Sequence, residues 1–291
     1  MTPSEFRQVA YGTLYIVGTP IGNLEDMSWR AVQILQMVDV IAAEDTRHTG
    51  KLLQHFQIKT PQLSYHQHNT QQRTPQLVER LLAGQDLALV SDAGMPGISD
   101  PGFELVQACV KAEIPVIPIP GANAAIAALI ASGLPCDRFC FEGFLPSKGQ
   151  PRQQRLQDLR NEPRTIVFYE APHRLRQTLQ DLADSMGSER QIAIARELTK
   201  RYEEFWRGLV RDAIAHYQTQ EPKGEFTVVV AGQTLADSPP SDSELRGKLQ
   251  QLMAQGWSRS QASRQIAQTH AVSRRQVYQL ALGIEFRRDS Q

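Results

Sequence analysis

The sequence carries no net charge, no long apolar run and only three cysteines, and each shortage removes a class of function. Basic and acidic side chains number 31 each, so no global field draws a polyanion to the chain. Any contact with nucleic acid must come from a local patch. Cys109, Cys136 and Cys140 form no Cys-x-x-Cys and cannot all pair, which points to reduced thiols. The nearest approach to a membrane span, residues 122–131, is alanine-rich and bounded by glycine and proline. No basic region followed by an apolar block opens the chain, so no secretory signal is read and a cytoplasmic location is expected. Nucleophile motifs are missing too: there is no Gly-x-Ser-x-Gly elbow, and Cys136 and Cys140 have no base nearby. His66 and His68 are spaced to share one face of a strand, but no further Cys or His keeps metal-site spacing. A polar edge strand is expected there, and no metal.

What is present is a globular composition, 41% hydrophobic and 21% charged over 291 residues, enough for two ordinary domains. Short apolar runs at 13–17 (TLYIV), 39–43 (DVIAA), 86–90 (DLALV) and 115–119 (PVIPI) read as strands. Amphipathic segments lie between them, at 29–37 with Val32, Leu35 and Gln36 at helical spacing, and at 75–82. That alternation predicts an α/β domain with a mainly parallel sheet. A second α/β unit follows, with strands at 164–169, 191–196 and 225–232. Between the units, 144–155 (FLPSKGQPRQQR) reads as a polar, basic hinge loop. The expected partition is 1–135 and 136–232 for the α/β domains, a Pro/Ser-rich linker at 233–243, and helices at 244–291. In that last part, residues 258–282 hold two serine-capped helices around a break at 269–272, a helix-turn-helix-like pattern. There Arg246, Lys248, Arg259, Arg264, Arg274, Arg275, Arg287 and Arg288 outnumber Asp242, Glu244, Glu285 and Asp289. A docking helical pair with a solvated basic face would look similar, and RNA contact through Arg259, Arg264, Arg274 and Arg275 is held slightly ahead of it.

Four loops follow expected strands, where ligands enter open α/β sheets. They are 17–28 (VGTPIGNLEDMS), 42–50 (AAEDTRHTG), 87–102 (LALVSDAGMPGISDPG) and 120–128 (PGANAAIAA). The third places Gly94, Gly97 and Gly102 with two prolines in a stiff, bare loop. It is no phosphate loop, because no lysine follows and the glycine spacing is wrong for a dinucleotide fingerprint. Four such loops on one sheet edge favour a binding cleft over ordinary turns. Glu44, Asp45, Thr46 and Arg47 exceed what a helix cap needs and lean functional, with capping as the plain alternative.

Together with FEGFLP, FYEAPHR and RELTKRYEE, these motifs resemble the tetrapyrrole methylase superfamily, and within it a branch acting on ribosomal RNA. The likeness runs from Leu14 to about Gly232, and the helical tail also resembles that branch. It implies two α/β domains with a cofactor cleft between them, plus a small helix-turn-helix-like extension. It further implies a homodimer and S-adenosylmethionine-dependent 2′-O-methylation of a cytidine ribose in the decoding region of 16S rRNA, within the 30S subunit. Carried over by position, the cofactor residues would be Pro20, Asp92, Ala93, Gly94, Met95, Pro96, Ile98 and Ser99, with Ala122, Asn123, Ala124 and Ala125 beside them. From the second domain come Tyr169, Glu170, Ala171, Glu197, Leu198, Gly224, Glu225 and Phe226. A ribose hydroxyl is a poor nucleophile, so a base or cation would help. Asp45, Arg47 and Lys200 are the foremost candidates, with Glu170, Glu197 and Lys223 behind them. Two rivals stay open: a tetrapyrrole C-methyltransferase, and a non-catalytic nucleic-acid-binding regulator that uses its terminal helices.

Overall fold

In the computed structural model, which describes residues 11–233, 241–269 and 272–284, short strands and helices alternate through the first half of the chain. They run β1 (Leu14–Val17), α1 (Trp29–Met37), β2 (Val40–Ala43), α2 (Thr46–His55), β3 (Gln62–Ser64) and α3 (Thr70–Leu82). Then come β4 (Leu87–Val90), α4 (Phe103–Lys111), β5 (Val116–Ile119) and α5 (Ala124–Ser132). The strands form one sheet in the order β3-β2-β4-β1-β5, and every pairing is parallel. Each residue of β2 and β4 is buried, as strands covered on both faces require. Pro118 is tolerated because β5 is an edge strand.

The second sheet is built from β6 (Phe139–Phe144), β7 (Thr165–Glu170), β8 (Gln191–Arg196), β9 (Glu204–Leu209) and β10 (Phe226–Val230). Helices α6 (Gly149–Leu159), α7 (Pro172–Met186) and α8 (Val210–Thr219) interleave with them. The order is β6-β7-β10-β8-β9, with only β6–β7 parallel. Helix α5 packs Ala125, Ala128 and Leu129 on Val167, Ala193 and Val229 of this second sheet. Its small residues therefore serve helix-to-sheet approach, and they fasten the two halves together.

The chain divides into two units at Gly232. The second contains α9 (Asp242–Ala254), α10 (Arg259–Thr269) and α11 (Arg274–Leu282) around Leu245, Leu249, Ile266, Val277 and Leu280. Among the described residues no helix is long and apolar enough to cross a membrane. All three cysteines are free.

Several expectations are corrected. The segment 144–155 is no loop throughout, because α6 begins at Gly149. Pro151 falls in the first turn, where its missing N–H costs no helical bond, and Arg152, Leu156 and Leu159 make the buried face. In α1 the buried face is Ala31, Val32 and Leu35, with Gln36 exposed. Helix α3 starts at Thr70 and carries Pro75 inside it. The edge strand β3 ends at Ser64, so His66 and His68 lie in a turn, where the Asn69 side chain accepts from the His66 amide at 2.9 Å. Helix α9 starts inside the expected linker, because Ser241 and Glu244 form a reciprocal capping box. Ser258 caps α10 as expected, receiving the Gln261 amide at 3.3 Å, whereas the Ser273 side chain makes no cap bond to α11. Residues 234–240 of the linker, His270 and Ala271 of the break, and Glu285, Arg287, Arg288 and Asp289 lie outside the described residues.

Candidate active site

Because β4, β1 and β5 are neighbours, the loops that follow them meet at one edge of the first sheet. The loops after β1 and β4 bond to each other directly. The Thr19 amide donates to the Gly94 carbonyl at 2.9 Å, and the Gly94 amide donates to the Thr19 carbonyl at 3.1 Å. The Thr19 hydroxyl also donates to the Ser91 carbonyl. Gly94 takes φ +79°, a conformation side chains disfavour. Ser99 takes φ +64° without being glycine, so this loop stores backbone strain. Asn123 caps α5 by accepting from the Ile126 amide at 3.0 Å.

A cavity of about 330 Å³ lies where these loops face the ends of β6, β7 and β10. The first half contributes Ala93, Gly94, Met95, Ile98, Ser99, Asn123 and Ala124. Tyr169, Glu170, Ala171, Glu225 and Phe226 come from the second. Twelve of the residues expected around the cofactor thus share one cavity. The sequence correspondence missed Ile21, Asp100, Phe144, Pro172 and Thr227, which also line it. Asp100 directly follows the stretch carried over, and Phe144 and Pro172 stand inside FEGFLP and FYEAPHR. The other expected residues stand elsewhere. Pro20 and Asp92 line a second cavity, of about 510 Å³, that shares Ile21, Ala93 and Glu225 with the first. Thr19, Gly22, His48, Lys51 and Lys200 line that second cavity as well. Pro96 and Ala125 are buried, and neither they nor Ala122 line either cavity.

Glu197 supports the shared wall from behind, packed against Gly224, while Leu198 is buried in the cluster that α5 makes with the second sheet. The Glu197 amide donates to the Glu225 carbonyl at 2.9 Å, and the Glu225 amide donates to Glu197 Oε1 at 3.0 Å. Lys200 Nζ donates to Glu197 Oε1 at 3.0 Å and to Glu225 Oε2 at 2.8 Å. Burial alone would lower this ammonium's pKa, but its bonds to Glu225 and Glu197 outweigh that and raise it. Of the two roles weighed for Lys200, base or cation, these partners favour the cation, which clamps Glu197 and Glu225 together. Gly22 makes the clamp's position possible, since a Cβ there would sit 2.4 Å from Lys200 Cγ and 2.8 Å from Thr199 Oγ1.

Other candidate bases are committed elsewhere. Asp45 caps α2 and pairs with Arg47 at 2.7 Å, bonds that hold its carboxyl well below the usual range. Neither Asp45 nor Arg47 lines either of these two cavities. The Glu170 carboxylate is turned into the protein, where Thr178 donates to it, Arg174 Nε lies at 3.3 Å and the Ala171 amide donates at 2.9 Å. Lys223 pairs with Glu221 on the exposed surface. By contrast, burial and the charges of Glu44 and Asp92 push Asp100 up to about 6, against the pull of the Ser91 hydroxyl. Burial likewise raises Glu44, and the Asp92 amide donates to its carboxylate.

The first cavity fits S-adenosylmethionine. Its volume suits a small organic ligand. Gly94 leaves backbone open on one wall, and Tyr169 and half-exposed Phe144 bring aromatic rings to another. In the helical unit, Arg264, Arg274 and Arg275 are exposed, as expected of RNA contacts. Arg259 is instead tied to the end of the unit, donating to the Ile284 carbonyl at 2.8 Å.

Comparison with known proteins adds a lineage to this geometry. The family model described as Tetrapyrrole (Corrin/Porphyrin) Methylases matches residues 13–214. A protein of Synechocystis sp. named ribosomal RNA small subunit methyltransferase I is 62% identical, over 94% of this chain and 99% of its own. One of the same name from Halalkalibacterium halodurans is 47% identical, over 92% and 94%. Among solved structures, the uroporphyrin-III-C-methyltransferase of Thermus thermophilus matches with TM-score 0.54 and 22% identity, over 75% of this chain and 94% of its own. That last likeness is one of fold. Identity sustained along nearly the whole length is more than shared architecture, and the chain belongs to the tetrapyrrole methylase family, in its ribosomal RNA small-subunit methyltransferase I branch.

Proposed function

We propose that the protein uses S-adenosylmethionine to methylate the 2′-oxygen of a cytidine ribose in the decoding region of 16S rRNA, within the 30S subunit. The observation that carries the reading is the pair of adjoining cavities, in a chain 62% identical to a relative named for small-subunit rRNA methylation. The cavity at Gly94 holds the methyl donor, and the one lined by His48, Lys51 and Lys200 receives the nucleotide. When bound, the cofactor supplies an electrophilic methyl group on a sulfonium. The chain contributes position, which is most of what an in-line displacement needs. Amides and carbonyls of the 93–99 loop and Asn123 orient the polar end, and Tyr169 and Phe144 cover apolar surface and exclude water. Lys200 holds Glu225, and with it the wall common to both cavities. His48 and Lys51 are placed to meet phosphate. Arg264, Arg274 and Arg275 add contacts to flanking RNA. The remaining parts of the reading are α/β domains at 1–135 and 136–232, a homodimer and a cytoplasmic location.

Labelled S-adenosylmethionine offered with 30S subunits, 50S subunits or a tetrapyrrole tests this. The expected label falls in a decoding-region fragment of 16S rRNA and survives as a 2′-O-methylcytidine after nuclease digestion. Label on a tetrapyrrole, on 50S RNA or on a base would overturn the reading.

A further inference from the structure

We propose that Tyr202 is a stacking platform for the rRNA, its ring receiving the base of an unpaired nucleotide beside the one that is methylated. The assignment deepens the ribose-methylation reading and rests on it. A single exposed aromatic is ordinary on a protein surface, and what distinguishes this one is how it is held. Tyr202 is 62% exposed, and the Arg201 guanidinium lies over its ring, 5.6 Å from the centroid. The acids that follow do not compete for that cation. Glu203 accepts from the Thr199 amide at 2.6 Å, and Glu204 pairs with Arg196 at 3.3 Å. Among the described residues Arg201 makes no ion pair, and the ring is its partner.

The chain that presents the ring is fixed in place. Glu197 and Thr199 take φ +50° and +65° without being glycine, a strain that persists only where the surroundings enforce it. The Lys200 amide donates to the Glu197 carbonyl at 3.0 Å, and the Glu203 amide donates to the Lys200 carbonyl at 3.2 Å. These bonds close a tight turn around Arg201 and Tyr202. Lys200 is itself anchored to Glu197 and Glu225, and it lines the nucleotide cavity. Gly22 and half-exposed Leu24 line the same cavity, and Gly22 abuts Thr199 and Lys200. The turn therefore stands beside that cavity. Tyr202 lines neither cavity, so a base on its ring belongs to a neighbouring nucleotide. An aromatic backed by arginine suits this task, because unpaired RNA is recognised by stacking on such planar groups. The cation over one side steadies the ring, and His48 and Lys51 in the cavity supply charge for phosphate.

The test measures 30S binding by wild type, Tyr202→Ala, Tyr202→Leu and Tyr202→Trp across a salt series. Alanine should weaken affinity about tenfold. The line of log affinity against log salt should shift down with its slope unchanged, because a stacked base releases no counterion. Leucine keeps apolar bulk without a flat π face, so it should bind like alanine. Tryptophan should bind at least as tightly as wild type. In methyl transfer, the alanine loss should appear in the half-saturating 30S concentration more than in the rate at saturation. Two readouts stand apart from turnover. The indole of Tyr202→Trp should add emission that 30S subunits quench, and S-adenosylmethionine affinity by calorimetry should stay near wild type in every variant. Alanine with wild-type 30S affinity, leucine that restores it, a shallower salt slope, lost cofactor affinity or an unquenched indole would overturn the assignment. So would a Tyr202→Ala protein that sediments as a monomer where wild type is a dimer, since the ring would then cover a second copy of the chain. Failure of the ribosomal reading looks different: wild type itself would leave 30S RNA unmethylated, and this assignment would fall with it.

Discussion

At position 94 the backbone decides what the side chain can be. Gly94 holds φ +79°, yet a Cβ there would meet Ile21 Cγ2 at 3.4 Å and the Ala122 carbonyl at 3.5 Å, ordinary contact distances. The obstacle to a larger residue is therefore conformational in the empty protein and steric only when a ligand shares the cavity. Gly94→Val should fold with a loss of about 1–3 kcal/mol from the forced left-handed conformation. Its affinity for S-adenosylmethionine by calorimetry should fall at least about tenfold, from the volume it adds to the cavity wall. Unchanged affinity in a folded variant would remove this loop from the cofactor site. The same scale shows what one sequence hides. Asp45, Arg47 and Lys200 had the right chemistry for catalysis, but proton affinity depends on partners. Those partners, such as Glu225 for Lys200, lie up to 25 residues away.

Among elements, α6 and α7 show how a charged side chain can anchor packing that apolar residues would otherwise supply. Arg152 of α6 is 6% exposed. It donates to Asp181 Oδ2 at 2.7 Å, to Thr178 Oγ1 at 2.8 Å and to the Pro146 carbonyl at 3.0 Å, tying α6 to α7 and to the loop after β6. Thr178 passes the connection on to Glu170 at the end of β7. Arg152→Met should lower the unfolding free energy by about 3–5 kcal/mol, because it strands buried partners. Urea titration measures this, and a loss within error would mean that the network is surface decoration. The parallel half was legible because β1, β2 and β4 are apolar runs that end sharply at Gly18, Glu44 and Ser91. Strands β6 and β9 were not, since FCFEGF and EFWRGL are half-buried edges with no period-two pattern. Helix α6 was hidden by its own composition, with Gly149, Pro151 and five glutamines or arginines ahead of Leu156 imitating a loop.

Over the whole molecule, zero net charge conceals a division. Cations outnumber acids from residue 241 onward, so the rest of the chain carries the balancing acidic excess. An acidic body gains nothing from the field of RNA, and attraction must be supplied locally. The helical unit has its own core in Leu245, Leu249, Ile266 and Val277, so its exposed arginines ride on a formed scaffold. Arg264, Arg274 and Arg275 face solvent, whereas Arg259 serves the Ile284 carbonyl. Replacing Arg274 and Arg275 together by alanine should therefore leave melting temperature and cofactor affinity near wild type. Binding to 30S subunits should weaken, and the slope of log affinity against log salt should become shallower by about 2, one for each lost phosphate contact. Arg259→Ala should do the reverse, lowering thermal stability through the lost carbonyl partner before it alters the slope. A salt series on the three proteins separates the possibilities. An unchanged slope in the double variant would mean that α10 and α11 dock protein surfaces only, and that the cations meeting RNA sit around the cavities, at His48 and Lys51.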